Sequence, residues 1–449
     1  MIEENKQQLD IESMIEGGEF FKLKSALGEL NIHHLAELLS ELDEENELPI
    51  AFRLLPTERA AEILGELELD KQEDLLTKLS GKKVSDIINE MPPDDRTVLL
   101  EELPGEMAQK LMNQLRGEQL KIARSLLGYP EDSIGRRMTP NYIAVREDWT
   151  IEKVLRQIRE VGKSRETFNV IYVVDNHWKL LDEIQLENIV LAEPDQTVAD
   201  IMDNQVSSLH AVDDQEVAVE EFKKYDAFVL PVVDKAGTLV GIVTVDDIMD
   251  IQEEENTEDM QKMAAMVVME ESYFSTGFLR MATKRLPWLL LLLLVETFAV
   301  MALDGFAELL VLIVMFMPLI NAAAGNTGAQ ISTLMIRGFA VNEISLDDWW
   351  RVLVRESSRG IVMGIVLSVL ASAIAIVFSH KIEIALAVGI AMIAAVTLAN
   401  IIGSMLPFIF KRIGIDPAVT SGPFISCLMD ISSILIFFSI ASGMQRLVA

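Results

Sequence analysis

Asp430 stands about two helical turns inside the last apolar segment of the chain, Phe424 to Leu447. An ionised carboxylate left unpaired in hydrocarbon costs on the order of several kcal/mol, so a cation has to meet it. Cys427 shares its face one turn earlier, Ser426 and Ser433 lie close by, and the apolar segments hold no lysine or arginine at matching depth. Small polar side chains around one carboxylate suit a hydrated path for a cation. A second group of carboxylates lies upstream. Asp247, Asp250, Glu254 and Glu258 are spaced by 3, 4 and 4 residues, which places them along one face of a helix where they repel unless a counter-ion intervenes. Asp213, Asp214, Glu216 and Asp226, and the pair Asp94 and Asp95, add to this set. Oxygen donors without His or Cys favour Mg²⁺ or Ca²⁺ over zinc or copper.

The elements that must position these groups fall into two kinds. The 449 residues combine a mean hydropathy of +0.28 with a formal charge of −32. From Leu286 onward there are only ten acids and eight bases, so nearly all the charge sits upstream. The chain therefore reads as an acidic soluble module followed by a membrane module. Such an acidic surface repels nucleic acid and anionic lipid, and it attracts cations. The single cysteine excludes an intrachain disulfide, and no cleaved signal is expected from the charged first thirty residues. The five histidines are scattered and no phosphate-binding glycine loop follows a strand, so no enzymatic constellation is visible.

Residues 1–128 read as an all-α superhelical domain of short amphipathic helices. Leu54-Leu55-Pro56-Thr57, Met91-Pro92-Pro93-Asp94-Asp95 and Leu103-Pro104-Gly105-Glu106 each put proline near a helix start with acids in the first turn. Residues 129–255 alternate strand and helix, and Ile171 to Asp175 and Leu230 to Asp234 are matching strands 59 residues apart. This α/β region resembles a tandem pair of CBS domains, about 129–196 and 197–255. The first copy departs from the second, since Trp178 to Leu191 lacks the glycine found at Gly241. Such pairs often bind adenine nucleotides between the copies, and ATP is the ligand that this resemblance would bring. Residues 256–285 are expected to form an amphipathic connecting helix.

Residues 286–449 read as an all-α transmembrane domain of five helices, at about 286–303, 309–326, 360–379, 384–409 and 424–447. Arg280, Lys284, Arg285, Arg337, Arg351, Arg355, Arg359, Lys411 and Arg412 fall on one side, Lys381 and Arg446 on the other. The amino-terminal module is then cytoplasmic and the carboxyl end outside. Asn326 and Gln330, in a glycine-rich run after Pro318, offer amide oxygens, although helix packing through small residues accounts for that run equally well. Asn400, Gly403 and Pro407 are expected to interrupt the fourth span.

Several motifs together resemble the MgtE magnesium transporters. They are Gly325-Asn326-Thr327-Gly328-Ala329-Gln330, Lys411-Arg412-Ile413-Gly414-Ile415-Asp416-Pro417-Ala418, Ser421-Gly422-Pro423-Phe424 with Asp430, Tyr129-Pro130-Glu131-Asp132-Ser133 and Lys284-Arg285-Leu286-Pro287-Trp288. The resemblance implies a homodimer in which Asp430 faces its symmetry mate across one pore and binds hydrated Mg²⁺. Asn326, Gln330, Asn400 and Cys427 are candidates for the lining. It also implies that internal Mg²⁺ closes the pore by bridging Asp95, Asp214, Glu216, Asp226, Asp247, Asp250, Glu255, Glu258 and Asp259. Arg59, beside Glu58, departs from that ligand pattern. Two alternatives stand beside this reading: a nucleotide-sensing CBS regulator anchored in the membrane without conduction, and an ion-coupled carrier of divalent cations.

Overall fold

A computed structural model describes the chain except residues 1–10, 12, 16, 43–45, 270–275, 305–313, 342 and 449. It divides into two units, Met1–Glu255 and Asn256–Ala449. The first begins with a succession of short helices from Phe20–Glu29 to Gly117–Leu126. Their apolar faces bury Leu35, Phe52, Leu64, Leu75 and Ile87 in one core. Proline sets the punctuation here. Pro56 and Pro104 stand immediately before Thr57–Gly65 and Gly105–Met112, and Pro93 opens Pro93–Glu102, where a missing N–H is no loss. Arg96 is 1% exposed and donates to Ile88 O, Met91 O and Gln119 Oε1, so one buried guanidinium ties three helices together.

The α/β region is two three-stranded sheets of the same design. β1 (Ala144–Val145) runs parallel to β2 (Val170–Val174), which is antiparallel to β3 (Leu180–Gln185). β4 (Leu209–His210), β5 (Val229–Val233) and β6 (Leu239–Thr244) repeat that order. The first copy has all three strands although it lacks that glycine. Asp182 pairs with Val173 where Gly241 pairs with Val232, and both sheets carry an irregularity at the next residue. Asp182 is fully buried, and its carboxylate accepts the backbone N–H groups of Asp203 and Asn204. A Cβ at position 241 would lie 2.7 Å from Met138 Sδ, so the second copy needs glycine for a neighbour rather than for its strand. The copies join through Leu180 N–H to Gly237 O and Leu239 N–H to Trp178 O, over a shared core of Val170, Tyr172, Val229 and Ile242.

The second unit contains long helices at Phe278–Asp304, Met317–Ala340, Trp349–Ser379, Ile382–Arg412 and Gly422–Val448. Among the described residues, three stretches are long and apolar enough to cross a membrane: Leu346–Ser379, Ile382–Arg412 and Gly422–Gly443. Three expectations change. The glycine-rich run at 325–330 does not end a helix, because helix Met317–Ala340 passes through it; residues 309–313 of that expected span lie outside the described residues. The fourth long helix is likewise unbroken, with Pro407 inside it and Asn400 and Gly403 on its buried face. The connecting segment is not one helix: Val245–Met263 ends before Ala265, which has φ +55°, and the next helix opens at Phe278, with residues 270–275 outside the described set.

Small residues explain why those helices stay intact. A Cβ on Gly403 would sit 2.4 Å from Gly328 O, so the two helices meet backbone to backbone at a spacing that admits no side chain. Gly403→Ala should destabilise the unit by about 1–3 kcal/mol through overpacking. Gly443→Ala, where a Cβ meets nothing within 4 Å, serves as the neutral comparison. Thermal unfolding of the detergent-solubilised protein measures both, and equal midpoints would refute the tight seam.

Candidate ion-binding sites

The first unit gathers carboxylates from separate elements. Asp94 and Asp95 lie in the first turn of Pro93–Glu102, and Asp246, Asp247 and Asp250 in the first turns of Val245–Met263. Burial, with the charges of Glu166 and Glu66 added to it, lifts Asp95 from 3.8 to about 7. Burial also raises Asp94 well above the carboxylate range, with Asp247 as the foremost repelling charge. Asp247 is raised too, chiefly by burial, although Thr244 Oγ1 donates to it at 2.7 Å and opposes the shift. Asp250 and Glu166 move the same way for the same first reason. Asp94 is 5% exposed, and its Oδ1 has no hydrogen-bond partner. Burial and like charge both penalise the ionised form of these carboxylates, a penalty that positive charge among them would relieve. A divalent cation meets that need with all-oxygen ligands. The fit is one of charge and donor type, since among the described residues no three His, Cys, Asp or Glu side chains are close enough together to form a ready coordination shell.

Asp95, Asp247 and Asp250 are thus brought together, and the other sequence candidates are not. Asp214 caps helix Gln215–Tyr225 by accepting from Glu216 N–H, and Asp226 ends that helix in the left-handed conformation. Glu216 is exposed. Glu255 accepts from Gln215 Nε2 at 2.6 Å, and its neighbour Glu254 pairs with Arg137 at 2.5 Å. Arg59 donates to Gly28 O and Leu30 O, a structural role. The ligand set implied by the resemblance left out the most buried member, Asp94, although the sequence had grouped it with Asp95, and it also left out Asp246, Glu166 and Glu66. Only Asp94 had a readable signal, as an acid beside Asp95.

In the second unit, Lys262 pairs with Glu258 and, at 2.6 Å, with Asp416. Burial opposes the ammonium charge, but the two carboxylates outweigh it and keep Lys262 protonated. Asp416 Oδ1 accepts from Ala418 N–H at 2.8 Å, which fixes the turn leading into Gly422–Val448. Glu258 therefore already shares a cation of its own chain with Asp416, and Asp259 is half-buried one residue on. Within Gly422–Val448, Asp430 follows Cys427 by one turn, and among the described residues neither Lys nor Arg pairs with it. Asn326 and Gln330 are exposed one turn apart, opposite the buried Gly325 and Gly328. Asn400 instead is 3% exposed beside Gly360, and its amide donates to Val396 O. The structure adds one residue at Asp430: Glu296, from Phe278–Asp304, whose charge acts on both Asp430 and Cys427. Its sequence signal, an acid inside an apolar run, was the same one that identified Asp430.

A cleft of about 850 Å³ opens in the α/β region beside Tyr225 and Phe228. Glu166, Glu183, Asp226 and Asp246 line it, with no basic residue among the lining side chains. Burial raises Glu183 to about 7. An aromatic base fits this lining; a bare triphosphate does not, and would have to bring its own cations.

A helical domain, two sheets of one design and a helical unit with a carboxylate inside an apolar helix are the arrangement to be compared with membrane transporters of cations. The profile described as MgtE, divalent cation transporter, matches residues 317–440; the MgtE intracellular N domain matches 22–132, and CBS domains match 132–194 and 198–254. The chain is 34% identical over 448 residues to the magnesium transporter MgtE of Thermus thermophilus, covering 98% of each, and 31% identical over 433 residues to that of Bacillus subtilis, covering 96% of this chain and 95% of that one. The crystal structure of the cytosolic domain of the Mg²⁺ channel MgtE in complex with ATP matches with a TM-score of 0.52 at 34% identity, covering 54% of this chain and 99% of that one. This chain belongs to the MgtE family.

Proposed function

We propose that the chain is a Mg²⁺ channel of the bacterial plasma membrane, closed by cytosolic Mg²⁺. Its membrane unit spans five times with the amino terminus inside, and two copies place their Asp430 carboxylates across one axis. The observation that carries this reading is Asp430, a carboxylate in an apolar helix with no basic partner among the described residues. Mg²⁺ gives up its waters reluctantly, so carboxylates that hold the hydrated ion through its shell capture it without that cost. Release remains fast because the grip is indirect. The acidic cluster of the first unit supplies the regulatory half. Mg²⁺ bound among Asp94, Asp95, Asp247 and Asp250 favours the state in which these surfaces are drawn together, and the equilibrium shifts toward it. ATP in the CBS cleft has support from the roomy pocket beside Tyr225 and Phe228, but the four carboxylates there require it to enter with Mg²⁺.

Patch recording of the full-length protein, with cytosolic Mg²⁺ varied and Mg²⁺, Co²⁺, Mn²⁺ and Ca²⁺ offered in turn, tests the proposal. It predicts Mg²⁺ currents that close as cytosolic Mg²⁺ rises. Liposomes impermeable to Mg²⁺, together with tight nucleotide binding, would favour an anchored regulator. Flux that requires a Na⁺ or H⁺ gradient would favour a carrier.

A further inference from the structure

Helix Phe278–Asp304 packs along Gly422–Val448 and brings Glu296 to Asp430. The Cys427 thiol is hydrogen-bonded to the Glu296 carboxylate. One turn beyond Asp430, Ser433 is 1% exposed and its hydroxyl has no partner. Among the described residues no Lys or Arg pairs with either carboxylate. Two like charges held side by side repel, and the buried Ser433 hydroxyl one turn on leaves its hydrogen-bonding capacity unmet. A shared cation removes both penalties. None of this is explained by helix packing, which an apolar residue at 296 would serve better.

We propose that Glu296 is a second cation-handling carboxylate of the transport path, holding the same hydrated Mg²⁺ as Asp430 at the seam between the two helices. The inference rests on the reading of Asp430 given above. It makes each chain contribute two carboxylates rather than one, so a twofold site offers four. Twice the negative charge lowers the Mg²⁺ concentration at which the path fills, and it slows release to the same degree. Cys427, hydrogen-bonded to Glu296, adds a soft donor that Mg²⁺ ignores and Cd²⁺ seeks.

The test is Mg²⁺ uptake by the full-length protein in liposomes containing an indicator dye, with external Mg²⁺ varied, for the wild type, Glu296→Gln, Glu296→Asp and Asp430→Asn. Glu296→Gln should raise the half-saturating concentration about tenfold, with Glu296→Asp restoring most of it, because only the charge is changed. A merely structural role would lower the maximal rate and leave half-saturation in place. Half-saturation within about twofold of wild type in Glu296→Gln, with Asp430→Asn inactive, overturns this inference alone. Wild-type uptake in Asp430→Asn overturns the underlying reading as well. Should Glu296→Gln fail to reconstitute, Cd²⁺ inhibition decides. Block of the wild type that weakens about tenfold in Cys427→Ser supports the shared site, and block that is unchanged overturns it.

Discussion

Asp430→Asn should abolish Mg²⁺ uptake, by at least about a hundredfold, in protein that still folds and purifies normally. The substitution keeps the shape and polarity of the side chain and removes only its charge. Asn can still hydrogen-bond to the waters of a hydrated ion, so geometry alone predicts a mild effect. Charge predicts a severe one, because a divalent ion entering an apolar layer needs compensation that a neutral amide cannot give. Asp430 makes no ion pair among the described residues, so its loss should leave no structural wound. The measurement is uptake into liposomes beside the thermal midpoint of the same preparation. Retained uptake, or a large fall in the midpoint, would remove Asp430 from the transport path.

The second large effect is expected at the acidic cluster. Replacing Asp94 and Asp247 by Asn together should raise the cytosolic Mg²⁺ needed for closure by about tenfold or more, since two of the most desolvated ligand charges are lost. The same change should stabilise the Mg²⁺-free protein, because both carboxylates are buried against like charge. The pH dependence follows from the direction of the shifts. Asp95 moves from 3.8 to about 7, so between those values the folded, metal-free protein binds more protons than the unfolded chain. The stability contributed by such raised carboxylates is fully present below the lower value and is lost as pH rises through the upper one. Protons and Mg²⁺ compete for the same oxygens, so stabilisation by Mg²⁺ should be large above pH 7 and shrink toward pH 4. Thermal midpoints with and without Mg²⁺ across that range check the sign. A Mg²⁺ effect that grows on acidification would place the ion elsewhere.

What could be read from the residues depended on whether their signal was local. Prolines before helices and the paired strands declare themselves within a few positions, and so do the apolar runs, although the run expected at 309–326 continues as a helix to Ala340. Asp430 was legible for the same reason, as one charge against an apolar background. Contacts across elements were not. Nothing in the order of residues tells that Asp94 meets Asp247 while Asp214 turns to cap its own helix, since an acid before a helix looks alike whether it serves a backbone or a metal. Asn400 misled in the opposite way. Its amide beside a glycine and a proline suggested a broken span, yet the same amide bonds one turn back and lets the helix continue. Glu296 had the strongest unread signal, and only the packing of two helices shows what it faces.

The contact of Gly403 with Gly328 bears on how this membrane unit can move. Where two backbones touch with no side chains between them, neither helix can roll against the other without collision, and parting them would open a gap that no neighbouring side chain fills. Helices Met317–Ala340 and Ile382–Arg412 therefore resist rolling and parting at this point. Gly422–Val448, which carries Asp430, is held as closely to that pair, since a Cβ on Gly328 would also lie 2.6 Å from Ile425 Cγ2.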